Sequence, residues 1–220
     1  MANATREVPS LEVVSVALDR GSAKLGPISF TLCNAGCWWL AGPSGAGKSL
    51  LLESLAGFHA EAQGSVRVIG QEVSHCSPER RAISLMPQRW RLFPHWTVAR
   101  NLRFAAKMSG ATADRIAQLT HRLQVQDLVS RPTLALSGGE TQRIALIQTL
   151  LSPAKILLLD EPLSAVDAAL QSIVLDLLQE EATLQRRICL ITAHLPTQGF
   201  PMRGTFLIEE GRLVPYTEPK

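Results

Sequence analysis

Apolar residues follow distinct patterns along the front of the chain, and these patterns predict strands and one helix. Residues 11–18 and 28–32 read as strands, and residues 65–69 alternate polar and apolar side chains as a half-exposed strand does. Residues 37–41 form a short apolar run that suits a buried strand, and residues 50–56 then read as a helix. The front of the chain is therefore predicted to hold several strands in hairpin order around the strand at 37–41.

The pattern changes to helical spacing between residues 96 and 151. One face of this stretch is marked by Ile116, Leu119 and Leu123. The strand pattern returns at residues 155–160, where an uninterrupted apolar run is typical of a central parallel strand. A helix over residues 168–181 and a strand over 188–192 follow. The whole pattern predicts a parallel α/β core that is interrupted by a helical insertion.

Composition and charge narrow the possible classes of protein. Of the 220 residues, 46% are hydrophobic and 19% are charged, which is typical of a globular chain and argues against disorder. The net charge of +3 is mild and no block of basic residues occurs, so no nucleic acid partner is predicted. No apolar run approaches the roughly 20 residues that cross a bilayer, and residues 1–10 lack the apolar segment of a signal peptide. We therefore expect a cytoplasmic protein whose membrane role, if any, depends on a partner.

One segment fits the phosphate-binding pattern G-x-x-x-x-G-K-[ST] at every fixed position. Its residues are Gly42, Pro43, Ser44, Gly45, Ala46, Gly47, Lys48 and Ser49. Because a predicted strand precedes it and a predicted helix follows, backbone N–H groups and the positive end of the helix can surround phosphate oxygens. Lys48 would reach the β- and γ-phosphates, and the Ser49 hydroxyl would bind Mg²⁺. The alternative is a glycine-rich turn with a solvated lysine, and the context favours nucleoside triphosphate binding.

Two acidic residues, Asp160 and Glu161, stand at the end of the predicted strand at 155–160. Asp160 stands at the carboxyl end of that strand, where ligands bind in open α/β sheets. Its carboxylate can hold phosphate-bound Mg²⁺, which prefers oxygen ligands. Glu161 could polarise a water in line with the γ-phosphate and act as a general base. The alternative is an ordinary strand end with two exposed acids.

A second glycine-containing segment, residues 136–140, precedes the helix that we expect to begin near Thr141. The Ser137 hydroxyl and the backbone N–H groups of Gly138 and Gly139 would make another phosphate-binding helix N-terminus. One chain cannot easily use two such sites on one triphosphate, whereas two chains packed head to tail can. The alternative is a Gly-Gly helix start that binds no ligand.

Together these motifs resemble the nucleotide-binding subunit of an ATP-binding-cassette (ABC) transporter, over essentially the whole chain. Residues 136–140 match the family signature Leu-Ser-Gly-Gly-Gln/Glu, and residues 156–161 match the Walker B strand with its catalytic glutamate. The family's D-loop corresponds to residues 164–167. Its Q-loop glutamine, which senses Mg²⁺ and contacts the membrane subunit, corresponds to Gln88. Its switch histidine corresponds to His194, which would hold the γ-phosphate and the attacking water.

The resemblance also implies a fold and a division of the chain. The fold would be α/β: a P-loop NTPase with a RecA-like parallel core, an N-terminal antiparallel β subdomain and an inserted α-helical subdomain. Residues 1–220 would form a single ABC ATPase domain. Its catalytic core would cover about 1–90 and 153–220, and its helical subdomain about 91–152.

Cofactors and partners follow from the same resemblance. ATP would lie between the P-loop of one chain and the signature segment of another in a head-to-tail homodimer. Mg²⁺ would be arranged by Ser49, Gln88 and Asp160. Residues 91–102 resemble importer ATPases, especially those for molybdate, thiamine or ferric iron, in which this region receives the coupling helix of the membrane subunit. We therefore predict a peripheral ATPase on the inner face of the cell membrane. It would work with transmembrane permease subunits and, indirectly, with a solute-binding protein.

Two alternatives and two departures from the family pattern accompany this prediction. A soluble ABC ATPase acting on DNA or ribosomes needs a coiled-coil insertion or a second cassette, and this sequence shows neither. The presence of both Glu161 and His194 argues against the second alternative, a nonhydrolytic nucleotide-binding module.

The position of the family's adenine-stacking aromatic residue corresponds to Leu18, which predicts weaker ATP binding and poorer discrimination against GTP. The end of the sequence at Lys220 leaves no room for the C-terminal regulatory domain of many importer ATPases.

Overall fold

The computed structural model describes residues 8–21, 23–197 and 199–216, and these residues form ten strands and five α-helices. The strands are β1 (Ser10–Asp19), β2 (Lys24–Cys33), β3 (Gly36–Ala41), β4 (Gln63–Val68), β5 (Gln71–Glu72), β6 (Ile83–Met86), β7 (Ile156–Leu159), β8 (Ile188–Ala193), β9 (Gly204–Glu209) and β10 (Arg212–Val214). The helices are α1 (Lys48–Ala56), α2 (Val98–Ser109), α3 (Ala113–Arg122), α4 (Gly138–Leu151) and α5 (Ala168–Leu184).

The strands divide into two sheets. A four-stranded sheet in the order β2-β1-β4-β5 is antiparallel throughout. A six-stranded sheet has the order β10-β9-β3-β8-β7-β6, and all its pairs are parallel except the β9–β10 hairpin. The predicted α/β fold with a parallel core and a separate antiparallel part is therefore confirmed.

The predicted place of the β3 strand is wrong. The front strands do not surround β3, because β3 belongs to the six-stranded sheet and lies between β9 and β8. All six residues of β3 are buried, as expected for a strand that is covered on both faces. Its neighbour in sequence, β2, instead alternates buried and exposed residues, which suits a sheet with one solvated face.

Two apolar clusters cover the opposite faces of the six-stranded sheet. Alternate residues of each strand point to opposite faces, so Ile156 and Leu158 join one cluster while Leu157 and Leu159 join the other. The first cluster packs against α1 and the antiparallel sheet, and the second packs against residues from α2, α3, α4 and α5. This packing fixes the parallel strands so that the segments after β3, β7 and β8 meet at one edge.

The predicted helical insertion consists of α2, α3 and α4 with irregular segments between them. Thr97 and Thr112 cap α2 and α3, each accepting a hydrogen bond from a backbone N–H three residues later. The residues predicted on one face of α3 are buried at Leu119 and Leu123 and partly buried at Ile116. The stretch between α3 and α4 forms two short 3₁₀ turns rather than a helix, consistent with Pro132 within it.

Candidate active site

The P-loop connects β3 to α1 and holds a buried lysine. Gly47 caps α1 with a φ of 103°, and no side chain of the described residues makes a capping hydrogen bond at this end of the helix. Lys48 is only 5% exposed, and its Nζ donates hydrogen bonds to the carbonyl oxygens of Gly42 at 2.7 Å and Pro43 at 2.9 Å. Burial lowers the pKa of Lys48, and the negative charges of Glu161 and Asp160 oppose that shift. The loop thus presents a helix N-terminus and a cation, which together suit an anion.

Gly42 is required for a different reason. A Cβ atom at this position would lie 2.3 Å from the carbonyl oxygen of Ile208, and the φ of Gly42 is +153°. The backbone of β9 therefore passes directly over the start of the P-loop, and only glycine leaves room for it.

A cavity of about 700 Å³ lies over the P-loop. Its walls are formed by the P-loop and the start of α1, by Gln88 and Glu161, and by the loops after β1 and β9. The residues from the P-loop, α1 and these two loops include Ser44, Gly45, Gly47, Lys48, Ser49, Gly21, Ala23, Lys24, Glu210 and Gly211.

Leu18 does not line this cavity, because it is 4% exposed and packs in the apolar core. The side chain of Leu18 therefore packs inside the protein, and its correspondence to the family's adenine-stacking position stays a prediction.

Asp160 and Glu161 follow β7 and share one hydrogen-bonding partner. Asp160 is 3% exposed, and its Oδ1 accepts a hydrogen bond of 2.7 Å from the hydroxyl of Thr192. The backbone N–H of Glu161 donates to the same Thr192 oxygen, also at 2.7 Å. Glu161 has a φ of 51°, which lies in the left-handed region and typically costs about 1–3 kcal/mol for a residue other than glycine. Strain of this kind persists only where the surrounding contacts hold it.

The side chain of Glu161 meets two residues from other parts of the chain. Gln88 Nε2 donates a hydrogen bond of 2.8 Å to Glu161 Oε2, and His194 Nε2 lies 3.4 Å from Glu161 Oε1. The carboxylate is thus held at the cavity wall above Lys48. A carboxylate in this position can accept a proton from a water molecule within the cavity.

Two of the three predicted metal ligands line the same cavity, and the third, Asp160, is buried and is not one of its lining residues. Ser49 and Gln88 line it, and the charge of the buried Asp160 acts on Lys48. Hydroxyl, amide and carboxylate oxygens are the ligands that Mg²⁺ prefers. The chemistry of these three side chains therefore fits a magnesium ion, which they would hold beside a bound phosphate.

Ser137 caps α4 in a reciprocal capping box. Its Oγ accepts from the backbone N–H of Glu140 at 3.3 Å, and its own backbone N–H donates to Glu140 Oε2 at 2.7 Å. That backbone hydrogen bond is the largest of the effects that lower the pKa of Glu140. The helix consequently begins at Gly138, earlier than the predicted start near Thr141.

Residues 25–164, well over half of the chain, match the ABC transporter family. The chain belongs to this family. The spermidine/putrescine import ATP-binding protein PotA of Pseudomonas aeruginosa (strain UCBPP-PA14) is 38% identical over 168 residues, which cover 74% of this chain and 46% of that protein. The molybdate/tungstate import ATP-binding protein WtpC of Archaeoglobus fulgidus is 40% identical over 139 residues, which cover 62% of this chain and 58% of that protein. This ABC chain spans about half the length of these curated relatives.

A solved structure of an ATP-binding subunit of an ABC transporter shares the fold. It superposes with a TM-score of 0.80 at 20% identity, over 92% of this chain and 87% of that one. The two-sheet arrangement with inserted helices is therefore that of the ABC ATPase cassette.

Within this ABC cassette, the structure brings some of the predicted residues together and leaves others apart. Gln88, Glu161 and His194 meet beside the cavity that Lys48 lines. The signature residues Ser137, Gly138 and Gly139 do not line that cavity. The use of the signature segment by the P-loop of another chain stays a prediction.

Two residues that touch Glu161 were missed as site residues. Gln142 Nε2 donates to the carbonyl oxygen of Glu161 at 2.7 Å, although Gln142 lies outside the signature residues 136–140 and is not among the predicted site residues. Thr192 was read as part of a strand, although it is the only polar residue in the otherwise apolar run from Ile188 to Thr192. A lone hydroxyl at the carboxyl end of a buried strand is the signal that could have identified it.

The two signature glycines of this ABC chain are expected to tolerate alanine very differently. A Cβ at Gly139 would lie 2.6 Å from the carbonyl oxygen of Ala165, whereas a Cβ at Gly138 meets no atom within 4 Å. Gly139→Ala should therefore lower the free energy of unfolding by about 1–3 kcal/mol through overpacking, while Gly138→Ala leaves it nearly unchanged. Urea denaturation of the two variants measures the difference, and equal stabilities would contradict the close approach of the segment around Ala165.

Proposed function

We propose that this chain is the ATP-binding and ATP-hydrolysing subunit of an ABC importer. The observation that carries the proposal is the carboxylate of Glu161, held by the Gln88 amide at the wall of the cavity that the P-loop lysine lines. A site that binds a nucleotide without hydrolysing it would not need a group that accepts a proton from water at this position.

In this proposal each residue has one task in the reaction. The P-loop amides and Lys48 hold the phosphates, Glu161 takes a proton from the attacking water, and His194 positions that water. The metal ligands are Ser49, Gln88 and Asp160. When bound, Mg²⁺ supplies positive charge that offsets the charge developing on the phosphate oxygens.

The proposed assembly is a head-to-tail homodimer in which Ser137, Gly138 and Gly139 of each chain bind the ATP held by the other chain's P-loop. The dimer would act on transmembrane permease subunits at the inner face of the membrane. Within each chain, the catalytic core would cover about 1–90 and 153–220, and the helical subdomain about 91–152. In the part of the chain that the structure describes, no helix is long and apolar enough to span a bilayer.

Solute import is the proposed coupled process, and the names of the relatives bear on its cargo. A molybdate-like oxyanion is supported by the molybdate/tungstate relative, and a polyamine, which the sequence had not suggested, is supported by the spermidine/putrescine relative. Thiamine and iron stay predictions from sequence resemblance. The cargo itself would bind to other subunits of the transporter.

The experiment that tests the proposal measures ATP hydrolysis and dimerisation of the purified chain, with Mg²⁺ and with EDTA. We expect phosphate release only with Mg²⁺, and an ATP-dependent shift from monomer to dimer in size-exclusion chromatography. If the chain binds ATP but releases no phosphate, alone or with permease subunits, the nonhydrolytic module is the better description.

A further inference from the structure

Thr192 occupies a central position in the six-stranded sheet. It lies in β8, between β3 and β7, and pairs with Leu40 of β3. The alternation along β8 places Thr192 on the same face as Ile188 and Leu190, which belong to the apolar cluster on the α1 side. Thr192 is 2% exposed, so its hydroxyl must find its partners within the protein.

The hydroxyl finds two partners, and both are parts of the proposed catalytic machinery. It donates its proton to Asp160 Oδ1 and accepts the backbone N–H of Glu161, with both distances 2.7 Å. A hydroxyl can donate and accept at once, which neither a methyl group nor a carbonyl can do. One atom thus links the two consecutive acidic residues to the neighbouring strand.

The backbone of Glu161 is held on its other side as well. Its carbonyl oxygen accepts hydrogen bonds from Gln142 Nε2 at 2.7 Å and from Ser164 Oγ at 3.0 Å. The left-handed turn at Glu161 is therefore held through its N–H by Thr192 and through its carbonyl by Gln142 and Ser164.

We propose that Thr192 is a positioning residue that orients the Asp160 carboxylate for Mg²⁺ and holds the turn that aims Glu161 into the cavity. The inference rests on the proposed ATP hydrolysis. Because Thr192 occupies Asp160 Oδ1, the second carboxylate oxygen is left as a donor for the metal or for a water bound to it. Partners of this kind typically change metal affinity or activity by about 10–100-fold when they are removed.

The test compares Thr192→Val, which keeps the shape but removes the hydroxyl, with Thr192→Ser, which keeps the hydroxyl. Thr149→Val is the matched control, because Thr149 is 1% exposed and, among the residues that the structure describes, its hydroxyl bonds within α4 alone, to the carbonyl of Ala145. For each protein, the measurements are binding of a fluorescent ATP analogue with Mg²⁺ and with EDTA, the kcat, the Mg²⁺ concentration for half-maximal hydrolysis, and thermal unfolding.

We expect Thr192→Val to lower kcat by about 10–100-fold and to raise the half-maximal Mg²⁺ concentration several-fold. Nucleotide binding in EDTA should stay at the wild-type level, since the P-loop is untouched. Thr192→Ser should restore most of the activity, and Thr149→Val should lose only stability. A wild-type kcat and Mg²⁺ requirement in Thr192→Val, or a failure of serine to rescue, would overturn this inference alone. A wild-type chain without Mg²⁺-dependent ATP binding would overturn the proposed function together with it.

Discussion

Replacing Glu161 with glutamine is expected to reduce ATP hydrolysis by about 10²–10⁴-fold, the usual contribution of a general base. Glutamine keeps the size of the side chain and an oxygen that can accept the hydrogen bond now donated by Gln88 Nε2 at 2.8 Å. What it loses is the ability to take a proton from water. ATP binding should therefore persist while chemistry stops, so the variant should accumulate as an ATP-bound dimer.

The measurements for Glu161→Gln are steady-state phosphate release and the fraction of dimer with Mg·ATP. Glu79→Gln is the matched control, because Glu79 is exposed in the short turn before β6 and does not line the cavity. It should hydrolyse ATP at the wild-type rate. Undiminished hydrolysis by Glu161→Gln would place the general base elsewhere.

Replacing Lys48 with alanine is expected to weaken ATP binding by roughly 100-fold, since a hydrogen bond to a charged group contributes about 1.5–3 kcal/mol. In the structure, the ammonium group bridges the carbonyl oxygens of Gly42 and Pro43, which hold it within the P-loop. Burial lowers the pKa of Lys48, but the nearby charges of Asp160 and Glu161 favour its charged form. The negative charge of a bound phosphate group would further favour the charged form of Lys48.

Equilibrium binding of a fluorescent ATP analogue measures the effect of Lys48→Ala. The control is Lys107→Ala, which removes an exposed lysine on α2 and should bind ATP as the wild type does. Wild-type affinity in Lys48→Ala would mean that the backbone of the P-loop alone holds the phosphates.

The sequence predicted those elements that are built from residues adjacent in the chain. The strand, loop and helix from Gly36 to Ala56 form one contiguous unit, and its glycines and Lys48 are recognisable because they are adjacent in the chain. The buried strand before Asp160 was equally clear, because four successive apolar residues are buried on both faces of a sheet. The start of α4 was missed by three residues, although the capping box between Ser137 and Glu140 is also a local signal.

The predicted position of β3 was wrong because it depends on the order of the strands in the sheets. The hydrophobic patterns indicate that β2 and β3 are strands, but they do not say that the two strands enter different sheets. The same limit applies to Leu18: the pattern marks it as a strand residue, and the packing of β1 shows that its side chain lies in the apolar core.

By itself, the sequence determined the α/β class, the P-loop, the acidic pair after β7 and the family resemblance, because each depends on spacing between near neighbours. The tertiary structure alone decided which distant residues meet. Thr192 reaches Asp160 across 32 positions, and Gln88 reaches Glu161 across 73. Such contacts depend on which strands lie side by side, and strand order is set by how the two apolar clusters pack against the sheet.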